Sequence, residues 1–212
     1  MYISVENYRE MYLKGKDSKV VLDEIEKIRH EIAKIKNKLE SPVNSYNSYT
    51  HSSEIASIDV FRGYLSAALG YLSEINEEAC DFTEEEKASM IFDSTVDGIS
   101  CITLTVGEYL QDKYELIFGG EEAEILEVHL GGESVSRKIN TETAREKIHS
   151  LHIGEWHENY SPEKYGCTLN EAVKWQLRID YKTGAAPRFF DGYGVFPYNF
   201  SILARLLGAD VF

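Results

Sequence analysis

Between His149 and Glu158 the stretch HSLHIGEWHE places three imidazoles and two carboxylates within ten residues. These are the side chains that ligate metals and exchange protons near neutral pH. His149, His152, Glu155 and His157 are therefore the candidate catalytic residues. His149 and His152 stand at i, i+3 on one helical face, but Gly154 should break the helix before His157. The two-histidine geometry of zinc proteases is then missing, and neither a metal nor a cofactor is expected. A metal-free ribonuclease would use the same groups as acid and base, with Arg178 or Arg188 as the cation beside a scissile phosphate. The competing account is a set of helix-end histidines facing the negative pole of the helix dipole. The spacing is not diagnostic, and a non-enzymatic protein is the leading expectation.

A second constellation is acidic. Glu74, Glu77, Glu78, Asp81, Glu84, Glu85 and Glu86 follow one another with no basic residue between them, and they form the candidate partner-binding series. They read either as a solvated helix junction or as an anionic patch that imitates nucleic-acid charge and enters a basic groove. The whole chain leans the same way, with 36 acidic against 22 basic residues and a formal charge of −14. That balance disfavours unaided binding to nucleic acid or anionic membrane, because each phosphate contact needs a local cation. A basic protein or ribonucleoprotein is the partner it fits.

Other features narrow the setting. Cys80, Cys101 and Cys167 are widely spaced and form no CxxC pair, which argues against a disulfide framework and fits a reducing compartment. The opening MYISVENYREMYLKGK is too charged for an export signal, and no run reaches the roughly 18 apolar residues that span a bilayer. A cytoplasmic location without membrane attachment is expected. Gly192-Tyr193-Gly194 lacks the surroundings of a phosphate-binding loop, so no nucleotide is assigned to it.

The elements that must position these groups fall into an α+β order. Helices are predicted at about residues 4–14, 18–40, 54–76 and 83–96. Val21, Ile25, Ile28, Ile32, Ile35 and Leu39 follow heptad spacings in the second. So narrow a stripe needs a helical partner, either the third helix, returning antiparallel, or a second copy in a homodimer through residues 18–40. Thr83 and Glu86 fit a capping box for the fourth helix. From Ser100 the runs CITLTV, KYELIF and AEILEVHL read as antiparallel strands, with ESVSRKI as a fourth. Thr141 caps a helix that carries Ala144, Ile148 and Leu151 and ends at Gly154. VKWQLRIDY forms a hairpin with a strand near Arg188–Phe190, and Pro197 opens a last helix that ends at Gly208. The expected architecture is a helical hairpin or bundle over residues 1–97, then a small antiparallel sheet domain with two packed helices over 98–212.

The C-terminal segments LHIGEWHENY, WQLRIDYKTG and GYGVFPYNFSILARLLG carry a resemblance. They resemble the terminal module of small proteins carried by plasmids, phages and other mobile elements of Gram-positive bacteria. There a Trp-centred segment, a W-x-L-x-I-x-Y hairpin and a G-x-N-x-Y-P-x-N-F helix start recur. YREMYLKGK followed by an Ile-rich helix is similar too. The sequence departs from the pattern at Asn170-Glu171-Ala172, where Asp-Gly is usual, and at Gly194 and Phe196, where Asn and Tyr would stand. Anti-CRISPR proteins acting on Cas9-type effectors occur in that setting. The resemblance therefore implies an anti-CRISPR-like inhibitor or accessory protein that binds the effector or its guide-RNA complex and blocks nucleic-acid engagement. A ribonuclease that cleaves guide RNA and a non-enzymatic dimerisation or adaptor module are the alternatives.

Overall fold

The computed structural model describes residues 2–42, 52–75, 81–129, 132 and 134–209. The fold is α+β, with N-terminal helices preceding a mostly antiparallel sheet. Contacts divide the chain into two compact units, Met1–Leu39 with Tyr49–Phe82, and Glu40–Ser48 with Thr83–Phe212.

The first unit is helical. Ser4 caps α1 (Val5–Tyr8) by accepting from the Asn7 amide, and the chain continues as a π turn over Arg9–Leu13. The single helix expected over 4–14 is thus wound in two ways. Gly15, at φ +74°, ends it, and its amide donates to the Tyr71 hydroxyl at 2.8 Å. Asp17 accepts from the Val20 amide at 3.0 Å to start α2 (Ser18–Glu40). The third helix, α3, runs over Ser52–Ile75. Lys38 pairs with Glu54 at one end of the two long helices, and the loop before α2 meets Tyr71 at the other, so they are antiparallel.

Val21, Ile25 and Ile28 bury the heptad stripe against Tyr64, Leu65, Ala68 and Leu72, with Tyr8 and Leu13 closing the same cluster. The stripe finds its cover inside the chain. The expected face of α3 is buried at Ile58, Leu65 and Leu72; Tyr64 and Ala68 extend it, and Ile75 at its end is exposed. The Tyr64 ring stacks on Tyr8 at 4.1 Å, and its hydroxyl bonds both backbone groups of Ile3.

The second unit opens with α4 (Glu84–Asp93), where Thr83 and Glu86 form the reciprocal capping box. Seven strands follow among the described residues: β1 (Ile99–Gly107), β2 (Asp112–Phe118), β3 (Glu122–Val128), β4 (Val135–Asn140), β5 (Asn159–Tyr160), β6 (Lys174–Tyr181) and β7 (Arg188–Tyr193). Their order is β4-β3-β2-β1-β6-β7-β5, and only the β5–β7 pairing is parallel. Alternation puts Ile102, Leu104, Leu116, Ile125, Trp175, Leu177 and Phe190 on one buried face. Glu122, Glu124, Gln176, Arg178 and Phe189 stay exposed on the other.

Two helices cover the buried face, α5 (Thr141–Ser150) and α6 (Phe200–Leu207). The cap of α5 is Asn140, which accepts from the Thr143 amide at 3.0 Å, rather than the expected Thr141. The last helix begins at Phe200 instead of Pro197: the chain first makes a turn closed by the Phe200 amide on the Pro197 carbonyl at 2.9 Å, and the Asn199 side chain makes no cap. The short strand β5 has no periodic signal and was not expected. The boundary expected near Asp97 and Gly98 falls inside the second unit, since Phe92 and Val96 are fully buried in the sheet's own core. Gly154 also lies against α4: a Cβ there would stand 2.5 Å from the Ala88 oxygen and 2.6 Å from the Ser89 Cα.

Candidate functional site

The histidine segment lies at the end of α5. That helix stops at Ser150, and His152 takes a left-handed conformation at φ +47° before a 3-10 turn over Ile153–Glu155. The shared helical face expected for His149 and His152 is therefore lost before Gly154 is reached. The physical cause is the burial of Leu151 and Ile153, which forces the backbone to turn so that both side chains face the core. His149 stays on the last turn, with Nδ1 3.7 Å from Asp93 Oδ1, a buried oxygen that makes no hydrogen bond. His157 donates its amide to the Tyr160 hydroxyl at 3.2 Å and sets its ring beside that of Tyr160 at 5.7 Å.

Among the described residues no three His, Cys, Asp or Glu side chains converge as metal ligands. The cations considered for a nuclease are also committed. Arg178 forks onto Asp180 at 2.7–3.0 Å, and Arg188 lies over the Phe92 and Phe190 rings at 5.4 Å. His149 and Asp93 form a loose imidazole–carboxylate pair in this segment.

The acidic series is divided between the two units. In the first, Glu74 pairs with Arg9 at 2.6 Å, and the Asp81 carbonyl accepts from Arg29 at 3.1 Å. In the second, Glu84 pairs with Lys87 at 2.8 Å while Glu86 serves the capping box. Glu84 nonetheless keeps 91% of its side chain exposed, at the start of a helix whose first turn is Glu84, Glu85 and Glu86. Glu77 and Glu78 lie outside the described residues.

The residues that carry the C-terminal motif form a buried polar-aromatic framework. Trp156 Nε1 donates to Asn199 Oδ1 at 3.0 Å, and Asn199 Nδ2 donates to the Leu151 carbonyl at 2.6 Å. Trp175 Nε1 donates to the Val195 carbonyl at 2.8 Å, and its ring packs 4.7 Å from Phe200. Glu40, which belongs to this unit by its contacts, accepts from the Tyr160 hydroxyl at 3.3 Å and the Tyr198 amide at 3.2 Å. Packing and hydrogen-bond satisfaction thus account for Trp156, Trp175, Tyr160, Asn199 and Phe200 in this chain.

Burial, then the charge of Glu40, pushes the Tyr160 phenol far up, and the same causes push Tyr165 up to about 12. Because the folded state keeps these protons to higher pH, the stabilisation is complete below the ordinary value of 10 and is lost as pH rises through about 12. Alkaline titration by near-ultraviolet absorbance should show a tyrosinate step delayed to about 12 for Tyr165. Tyr165→Phe should remove that step and flatten the alkaline loss of stability.

Sequence reading missed one arrangement altogether, an aromatic-lined cavity in the first unit where Tyr2, Tyr8, Tyr12, Phe61 and Tyr64 meet. Only the i, i+4 pair Tyr8 and Tyr12 gave a local signal for it; the partners on α3 are brought in by folding. Compared with protein-family models, with curated proteins and with solved structures, the chain finds no match in any of the three.

Proposed function

We propose that this protein is a non-catalytic binding protein that engages a basic partner through its acidic surface. The C-terminal resemblance gives that partner as a Cas9-type effector with its guide RNA, which would be blocked from nucleic acid. The observation that carries the reading is charge, −14 in 212 residues, with Glu84 and Glu85 exposed at the start of α4. An array of fixed carboxylates imitates a phosphate backbone and speeds encounter with a basic groove. The same charge repels free RNA, so the protein component of a ribonucleoprotein is the natural contact. For the nuclease reading, His149 and His152 no longer share a helical face, because α5 ends between them.

The test is co-elution on size exclusion with the effector, with and without guide RNA, over a range of salt. A stoichiometric complex with intact RNA is expected. Raising salt from about 0.1 to about 1 M shortens the screening length from roughly 10 to 3 Å, so affinity should fall on the order of tenfold or more. Glu84→Gln with Glu85→Gln should weaken binding in the same direction. A salt-insensitive complex would count against the acidic surface. Substoichiometric destruction of RNA, abolished by His149→Ala or His157→Ala, would replace the binder with a ribonuclease. A stable homodimer inert towards any effector would favour the adaptor.

A further inference from the structure

The aromatic cavity of the first unit measures about 240 Å3. Its walls meet nearly at right angles: Phe61 stands edge-on to Tyr64 at 6.2 Å and 83°, and Tyr2 edge-on to Phe61 at 5.6 Å and 79°. Tyr8 is stacked between Tyr12 at 5.2 Å and Tyr64 at 4.1 Å, giving a stiff back wall. Two hydroxyls hold this wall in place. Tyr64 bonds the Ile3 carbonyl at 2.6 Å, and Tyr8 donates to Glu24 at 2.9 Å.

Two carboxylates, Glu24 and Glu31, line the same cavity. Lys27 does too, but its ammonium sits on Glu24 at 3.2 Å, and Lys34 stands 3.5 Å from Glu31. Aromatic faces carry negative quadrupole potential, so the rings attract a cation and disfavour an anion, while the lysine-paired carboxylates add little net field. A strongly hydrated ammonium would lose part of its water shell against these rings, whereas a methylated one has little to lose. Size agrees as well, since a cavity of about 150 Å3 already holds benzene.

We propose that this cavity is a binding site for a methylated ammonium group, held by the Tyr2, Tyr12 and Phe61 rings beside the lysine-paired carboxylates of Glu24 and Glu31. The site is independent of the acidic helix start in the second unit, and it would persist if that surface had no partner.

Isothermal titration of the full chain with choline, tetramethylammonium and Nε-trimethyllysine tests it, with neutral 3,3-dimethylbutanol as the isosteric control. Saturable binding of at least one of these cations is expected, with the neutral control about tenfold weaker or worse. Tyr12→Ala should weaken the bound cation by about tenfold, and Glu31→Gln by a few-fold. Tyr12 is 45% exposed, so its removal should leave the unfolding midpoint near wild type, and Tyr2→Ala, at 51% exposed, is a second variant. Tighter binding of choline than of trimethyllysine identifies a free small molecule as the source of the group, and the reverse identifies a modified lysine side chain. No saturable heat with any of the cations overturns the proposal. So does equal affinity for the neutral isostere, or unchanged affinity in folded Tyr12→Ala and Tyr2→Ala.

Discussion

Gly192→Ala should destabilise the second unit by about 3 kcal/mol or more, read as a lower urea midpoint at unchanged slope. Gly192 lies on β7 directly opposite Trp175 of β6 and beside Tyr160 of β5. The Trp175 and Tyr160 rings are 5.8 Å apart, and the bare backbone of Gly192 lets the indole lie close against it. A Cβ there would come within 2.6 Å of Cε2 and nearer still to Nε1. The indole is fully buried and cannot retreat into solvent, so the added methyl must displace it and stretch its bond to the Val195 carbonyl. Overpacking of this kind costs about 1–3 kcal/mol, and an orphaned buried carbonyl adds about 1–3. A double variant with Trp175→Phe separates the causes. The smaller ring should relieve the clash, so the two changes together should cost less than their sum. Strict additivity would mean that the contact is not what fixes glycine here.

Asn199→Ala should cost about 2–5 kcal/mol, because it orphans two buried groups at once, Trp156 Nε1 and the Leu151 carbonyl. Asn199 is 2% exposed, so water cannot replace the lost amide without opening the core. Its carboxamide ties the turn after α5 to the start of α6, acting as donor and acceptor in one side chain. Asn199→Asp keeps the acceptor for Trp156 but turns a carboxylate towards a carbonyl. Burial and that repulsion would raise the new group's pKa above the unfolded value, so its stability should be greatest in acid and fall as pH rises above the ordinary aspartate value of about 4. An Asn199→Ala protein that unfolds within about 0.5 kcal/mol of wild type would show that the carboxamide is dispensable. Both variants leave the first unit's residues untouched, so cation binding there should survive them.

These two positions explain what was and was not legible in the sequence. The stretch GYGVFPYNF has the glycines of a phosphate loop but not its surroundings, so the sequence assigns it no nucleotide. That its first glycine clears an indole and its asparagine bridges two turns depends on partners 17 to 48 residues away. No local period encodes such a contact. The histidine segment makes the same point in reverse. Its composition advertises chemistry, yet the burial of Leu151 and Ile153 between the imidazoles decides where the backbone turns.

The sequence by itself determined the α+β order, the heptad stripe of α2, the Thr83–Glu86 capping box, the Asp17 and Gly208 helix ends and the alternation of β1, β2, β3 and β6. Each of these rests on interactions within a few residues, where periodicity and side-chain chemistry act directly on the backbone. Tertiary structure alone decided the strand order, the two-residue β5, the membership of α4 in the sheet's core and the placing of Glu40 beside Tyr160 and Tyr198. It also built the aromatic cavity, whose walls come from the residues in and around α1, from α2 and from α3. Those features follow from how apolar faces choose one another across long chain separations, a choice made by packing and by the satisfaction of buried polar groups.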